Sequence, residues 1–171
     1  MQGESLPRCS QKERGIPLRP HHGMCLAYFE GKGYSEGFTA HMQKTLDLFM
    51  GDEAVLICLV TYTDEICTAC PNNEHGTCRD AAKVLGFDMG VLKLCGLEDG
   101  QILEFGEFAR LVQKCILSVG KREEICGARP GRCSESLRRV TSTPGVGKIC
   151  SCHYPCQWDE LCSNRKSRWD R

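Results

Sequence analysis

The sequence predicts a small, helix-rich α+β domain with one short buried strand and a cysteine-rich loop suited to a metal or a cluster. Three observations lead to this fold class. Several segments repeat apolar residues at helical spacing, residues 54–62 are continuously apolar and rich in β-branched side chains, and residues 64–78 combine turn-forming sequence with cysteines. At 171 residues, the chain is long enough to bury the core of one domain.

The first predicted elements are two helices. Residues 1–15 are polar and charged, and we expect them to form a flexible tail. Pro20 can open a short helix, which Gly31-Lys32-Gly33 ends. Ser35 is suited to N-cap a second, amphipathic helix that reaches about Met50. The apolar stripe of this second helix is expected to face the core and consists of Phe38, Met42, Leu46 and Phe49.

The buried strand over residues 54–62 leads into the cysteine-rich loop, and two more helices follow. A helix is predicted over residues 79–94, with Gly96 as its C-terminal stop. Another amphipathic helix begins near Phe105 and ends near Gly120. The predicted apolar face of the helix over 79–94 consists of Ala81, Val84, Leu85, Val91 and Leu92.

The end of the chain changes in composition. Residues 128–155 are rich in Arg, Ser, Thr, Gly and Pro without apolar periodicity, which predicts a flexible basic insertion. The insertion interrupts a cysteine-rich core domain, which we expect to comprise residues 16–127 together with 156–162. Residues 163–171 then form a charged tail.

Charge and cysteine content narrow the classes of function. Lys+Arg and Asp+Glu balance at 22 each, so no overall field attracts nucleic acid or an anionic membrane. The N-terminus lacks the apolar run of a signal peptide, and no run of about 20 apolar residues could span a bilayer. We therefore expect a cytoplasmic protein without a membrane partner. In that compartment, 14 cysteines favour metal or redox chemistry over a disulfide framework.

Cys67, Cys70 and Cys78 are the strongest candidates for metal or cluster ligands. Their spacing places three thiols on a short turn-forming segment with few apolar side chains to fix its backbone. Free thiols with a pKa near 8.5 are mostly protonated at neutral pH, and neighbouring thiolates repel one another, so a cation would stabilise this arrangement. Pro71, directly after the second cysteine, is typical of ferredoxin ligand runs and favours an iron–sulfur cluster.

His75 favours zinc instead, as a weaker ligand candidate. Cys67, Cys70 and His75 have the spacing that opens a zinc knuckle, which is a nucleic-acid module. The gap from His75 to Cys78 holds two residues where the knuckle has four, and acidic neighbours would repel phosphate. The sequence therefore argues against nucleic acid as the partner.

Three cysteines leave a tetrahedral zinc ion or a cubane cluster one ligand short. His22 is a weaker candidate for the missing ligand, because adjacent histidines do not easily reach one metal together. We therefore expect His21 and His22 to supply one ligand or supporting donor and one surface group. The thiol candidates for the fourth position, of which the last three could also form a second site, are Cys25, Cys126, Cys156 and Cys162.

Linked motifs in this chain resemble a prokaryotic family of uncharacterised proteins, numbered 1284 among the domains of unknown function. The likeness covers roughly residues 16–126 and resumes over 156–162. It implies iron–sulfur cluster binding and no particular substrate. The basic insertion separates the two halves of the family's cysteine-rich end. The motifs that carry the resemblance are Leu18-Arg19-Pro20-His21-His22-Gly23-Met24-Cys25-Leu26, Gly31-Lys32-Gly33-Tyr34-Ser35, Asp64-Glu65-Ile66-Cys67 with Cys70-Pro71 and Cys78, Ile125-Cys126-Gly127, and Cys156-Gln157-Trp158.

The sequence thus predicts an iron–sulfur protein, with a [4Fe-4S] cluster, that transfers electrons to a redox partner protein or senses redox state. The alternative is a structural zinc module that presents a surface to a protein or nucleic acid. A third interpretation is a cluster-dependent enzyme that uses His21 or His22 as an acid or base. The sequence identifies no small-molecule substrate.

Overall fold

The computed structural model describes residues 15–51, 54–126 and 166–170. The described chain is a helix-rich, mixed α/β domain, as predicted, and its strands form two small sheets where the sequence predicted a single buried strand. The tail before residue 15, the insertion 128–155 and the segment 156–162 lie outside the described residues. In chain order, the elements are β1 (Ile16–Leu18), α1 (Pro20–Cys25) extended by a 3-10 turn (Leu26–Tyr28), α2 (Glu36–Phe49), β2 (Leu56–Leu59), a 3-10 turn (Ile66–Ala69), β3 (Asn73–Glu74), β4 (Thr77–Cys78), α3 (Ala81–Cys95), β5 (Ile102–Glu104), α4 (Phe105–Val112) extended by a π-helical turn (Gln113–Leu117), and α5 (Arg122–Cys126).

The main sheet has three strands in the order β1-β2-β5. β2 is the predicted buried strand, and it pairs with β1 in parallel and with β5 in antiparallel orientation. Ile57 at its centre is opposite Ile16 on one side and Leu103 on the other. The parallel pair places the start of α1 beside the segment that follows β2, where the cysteines lie.

The predicted limits of α2 and α3 are confirmed. The Ser35 hydroxyl accepts a hydrogen bond from the Phe38 N–H at 3.1 Å, so Ser35 is the N-cap of α2. Gly96 ends α3 in the left-handed conformation, with φ of 65°. The predicted apolar face of α3 is partly wrong, because Leu85 is 42% exposed and Asp88 is fully buried.

α1 and α4 approach each other closely at Gly23. A Cβ atom at this position would lie 2.4 Å from Cε1 of Phe108, which is closer than side chains pack. Both residues are buried. Glycine at position 23 is therefore required by the space between the two helices.

The described C-terminal residues pack on the core. The Trp169 ring meets Phe105 edge to face, with centroids 5.5 Å apart, and the Arg168 N–H donates to the Ala27 carbonyl at 3.0 Å. Residues 166–170 thus cover the end of the extended α1. In the part of the chain that the structure describes, no helix combines the length and apolarity that a membrane crossing needs.

Candidate metal centre

Two buried carboxylates hold the start of α1. Pro20 occupies the first turn, where its missing N–H costs nothing, but the neighbouring N–H groups still need acceptors. The Arg19 N–H donates to Oδ2 of Asp64 at 2.7 Å, and the His21 N–H donates to Oδ1 of Asp88 at 3.2 Å. Two acidic residues from distant parts of the chain therefore cap this short helix.

Asp88 is the centre of a buried ionic network. Its Oδ2 accepts hydrogen bonds from Nε of Arg19 at 2.8 Å and from Nη2 at 2.6 Å, while Oδ1 lies 2.6 Å from Nδ1 of His21. Burial opposes ionisation, but three effects outweigh it and lower the pKa of Asp88: the hydrogen bond from His21, the charge that His21 acquires at the low pH where Asp88 titrates, and the charge of Arg19. The Arg19–Asp88 pair is thus charge-balanced in the interior.

His21 is held as a neutral imidazole. Burial, with a smaller contribution from neighbouring His22, lowers its pKa from 6.5 to about 4 and outweighs the opposing effect of Asp88. Arg19 already compensates the charge of Asp88, so His21 does not need to be protonated. The short contact fixes the tautomer: Nδ1 carries the proton that Asp88 accepts, and Nε2 has the lone pair.

Asp64 links His22 to Cys67. Its Oδ2 lies 2.8 Å from Nδ1 of His22, and its Oδ1 accepts the Cys67 N–H at 3.0 Å. Burial alone would raise the pKa of Asp64, but His22 and the two backbone N–H groups hold that pKa well below its usual range. Asp64 is therefore a fixed anion between the ring of His22 and the Cys67 segment.

The surroundings of Cys67 favour the protonated thiol over the thiolate. Cys67 is 5% exposed, and burial together with the nearby Asp64 charge raises its pKa far above the usual range. Burial also raises the pKa of Cys70. These thiols are poor nucleophiles as they stand, and a bound cation would have to displace their protons.

Hydrogen bonds support the cysteine segment without a metal. The Cys70 N–H donates to the Cys67 carbonyl at 3.1 Å, closing the 3-10 turn, and the Asn73 side chain donates to the same carbonyl at 3.0 Å. β3 and β4 then form a hairpin, with His75 at its tip in the left-handed region at φ of 53°. The expectation that little besides a cation fixes this backbone is therefore too strong.

The three predicted thiols converge on one cleft of about 90 Å³. Both histidines of α1 line the same cleft, with their ring centroids 4.2 Å apart. The expectation that one of them is a surface group is wrong, because the His22 side chain is 21% exposed and His21 is buried. The residues around the cleft are Arg19, His21, His22, Tyr34, Phe38, Cys67, Cys70, Asn72, Asn73, Cys78, Asp80, Lys83, Val84 and Phe87.

Other predicted ligands lie away from this cleft or outside the described residues. Cys25 is buried at the end of α1, and Cys126 is buried on α5 with its Sγ 3.6 Å from Nη1 of Arg122. Neither lines the cleft, and neither does His75, which is exposed. Cys156 and Cys162 lie outside the described residues.

One set of donor atoms is close enough to hold a single ion. Ligand atoms of His22, Asp64 and Cys67 all lie within 4.8 Å of one another, and they form the one such set of three in the described residues. Cys70 and Cys78 line the cleft beside this set. The donors present, thiols and imidazoles, suit zinc or iron and are poorly suited to calcium or magnesium.

The sequence did not predict that Asp88 and Arg19 form a buried ion pair beside the cleft. Asp88 has a recognisable signal, because it falls on the same stripe of α3 as the buried Val91, Leu92 and Cys95. An acidic residue on a buried stripe needs a buried cation or proton donor nearby. Arg19, which precedes the two histidines in the sequence, is the buried cation that pairs with Asp88.

The fold and the cleft define a small mixed α/β protein with a group of potential metal ligands. Residues 33–134, more than half of the chain, match the model of the family described as "Protein of unknown function (DUF1284)", and the chain belongs to this family. The matched range includes the three loop cysteines, Asp64 and Asp88, and begins after the Arg19-Pro20-His21-His22 segment. Neither the curated proteins nor the solved structures gave a significant match.

Proposed function

We propose that this protein binds an iron–sulfur cluster through Cys67, Cys70 and Cys78 and uses it for electron transfer or redox sensing. The observation that carries the proposal is the convergence of these thiols on one cleft. They come from a 3-10 turn and a hairpin that hydrogen bonds already hold in place. A prearranged set of thiols is what a cluster needs from its protein.

The spread of the thiols favours a cluster over a single ion. Four ligands around one zinc ion lie at about 2.0 to 2.3 Å from the metal and must crowd together. Here Cys67 belongs to the tight set with His22 and Asp64, whereas Cys70 and Cys78 lie along the cleft outside that set. A [4Fe-4S] cluster presents separate iron atoms to separate thiolates and fits such a distributed arrangement.

The position of the cleft fits exchange of electrons with a redox partner protein. Cys70 and Cys78 are only partly buried, so a cluster bound there would lie near the surface. Exposed Glu65 and Asp80 belong to this part of the chain, while Glu74 is paired with Arg79, and Lys83 lines the cleft. The charges of the described residues near the cleft are therefore of both signs, and they do not form the basic surface that a nucleic acid would need.

Zinc is the alternative, and the set of His22, Asp64 and Cys67 is the observation that favours it. A zinc ion held by this set and a second thiol would make the cleft a structural site. The protein would then serve as an interaction module without redox chemistry.

Anaerobic purification and reconstitution with iron and sulfide distinguish the two. We expect a coloured protein with iron and acid-labile sulfide, whose cluster is lost in Cys70→Ser and Cys78→Ser. The matched control is Cys115→Ser, which changes a half-buried thiol outside the cleft and should keep the cluster. A colourless protein with stoichiometric zinc, or full cluster occupancy in Cys70→Ser, would reject the proposal.

A further inference from the structure

We propose that His22 is the fourth protein ligand of the metal centre, binding through Nε2 while Asp64 holds its ring. This inference rests on the proposed function and completes the ligand set that the three thiols leave open. It gives the centre three thiolates and one imidazole.

The first support is the orientation of the His22 ring. Its Nδ1 lies 2.8 Å from the buried Asp64 carboxylate, which leaves Nε2 on the opposite side of the ring. In the described part of the chain, no hydrogen bond involves Nε2 of His22, although the ring lines the cleft. Metal-binding histidines commonly donate one ring N–H to a carboxylate and bind the metal through the other nitrogen.

The second support is that one carboxylate positions both His22 and a thiol ligand. Oδ1 of Asp64 accepts the Cys67 N–H, and Oδ2 meets the His22 ring. Donor atoms of these three residues, with either ring nitrogen counted for His22, lie within 4.8 Å of one another, so Asp64 keeps the His22 ring close to the Cys67 thiol. Asp64 itself is occupied by these contacts and by the Arg19 N–H, so it is better suited to hold the ligands than to bind the metal.

The third support is the contrast with His21. Its ring also has Nδ1 on a carboxylate, but Asp88 belongs to the ionic network with Arg19, and within the described residues its hydrogen bonds go to Arg19 and His21 and not to the cysteine segment. His21 is also outside the set of donor atoms that includes Cys67. We therefore assign it a positioning role, in which it packs against His22 at 4.2 Å between ring centroids.

Histidine ligation has a measurable consequence for the cluster. A neutral imidazole in place of a thiolate makes the centre less negative and raises its reduction potential, as histidine ligands do in Rieske centres. His22→Cys should therefore retain a cluster with a lower potential. His22→Ala should leave one iron without a protein ligand.

Pulsed electron paramagnetic resonance of the reduced, reconstituted protein tests the assignment. We expect a strong ¹⁴N coupling from a directly bound imidazole in the unmodified protein, lost in His22→Ala and His22→Cys. His75→Ala is the matched control and should keep the coupling, because His75 is an exposed histidine outside the cleft. A coupling that survives in His22→Ala, or is absent from the unmodified protein, overturns the inference.

The two proposals fail in different ways. If a cluster forms but shows no histidine coupling, only the assignment of His22 as a ligand is rejected. Loss of that cluster in Cys156→Ser or Cys162→Ser would then identify a thiol as the fourth ligand. If the protein holds zinc instead, the iron–sulfur proposal fails. X-ray absorption of the zinc protein then supports His22 if it finds three sulfur neighbours and one nitrogen that His22→Ala removes, and overturns it if it finds four sulfurs. A protein that binds neither metal overturns both.

Discussion

Nδ1 of His21 lies 2.6 Å from Oδ1 of Asp88, a residue 67 positions further along the chain. The same carboxylate balances Arg19 and caps α1 through the His21 N–H. One buried side chain on α3 therefore fixes the helix that brings both histidines to the cleft.

The first prediction concerns the Arg19–Asp88 pair. Asp88→Asn should lower the free energy of unfolding by about 3–5 kcal/mol, because it leaves the buried Arg19 charge uncompensated. Adding Arg19→Met should recover much of this loss, since the Asn oxygen can still accept from His21. Urea unfolding of the single and double variants measures the coupling. Glu74→Gln, which breaks an exposed pair with Arg79, is the control and should leave the urea midpoint unchanged.

A second prediction concerns pH. Because the pKa of His21 is 6.5 unfolded and about 4 folded, the unfolded chain binds more protons between these values. The contribution of His21 to the free energy of unfolding is therefore fully present above pH 6.5. It falls by about 3 kcal/mol as the pH drops from 6.5 towards 4. His21→Asn keeps a donor to Asp88 and should flatten this dependence, which urea unfolding at several pH values measures. If the free energy of unfolding changes with pH equally in His21→Asn and in the His75→Asn control, the assignment of this pH dependence to His21 is refuted.

The third prediction tests the contact between α1 and α4. Gly23→Ala places a Cβ against the Phe108 ring and should destabilise the fold by about 1–3 kcal/mol. Gly37→Ala is matched, since Gly37 lies in α2 with open space around its Cβ position. That variant should be stabilised by about 0.5–1 kcal/mol. Thermal unfolding compares them, and equal midpoints would contradict the close approach.

The fourth prediction concerns thiol reactivity in the metal-free protein. Iodoacetamide should modify Cys67 more slowly than Cys78, because burial and Asp64 raise the pKa of the Cys67 thiol. Bound metal should protect both residues but leave the rate at Cys115 unchanged. Mass spectrometry of peptides gives each rate. Rapid modification of Cys67 in the folded, metal-free protein would count against the described environment.

The sequence predicted local features of the fold and missed those that depend on distant partners. Ser35 and the apolar spacing after it define α2 within a few residues, so its limits could be read directly. β1 and β5 are three residues each, too short for a periodic pattern, and they exist because they pair with β2.

The same distinction applies to the site. The spacing of Cys67, Cys70 and Cys78 is local, and it led to residues that share one cleft. The pairing of His22 with Asp64 spans 42 positions, and that of His21 with Asp88 spans 67, so neither can be recognised from spacing. The sequence feature that could have indicated the second pairing is Asp88, an acidic residue on the buried face of α3.

The close approach of Gly23 to Phe108 constrains how relatives of this protein can vary. Where another member carries a side chain at the position of Gly23, the ring at the position of Phe108 has to be replaced by a smaller residue, or the two helices must separate. Paired substitution at these two positions is therefore expected among homologues. Such covariation would indicate that the distance between α4 and α1, the helix that carries both histidines, is kept constant in the family.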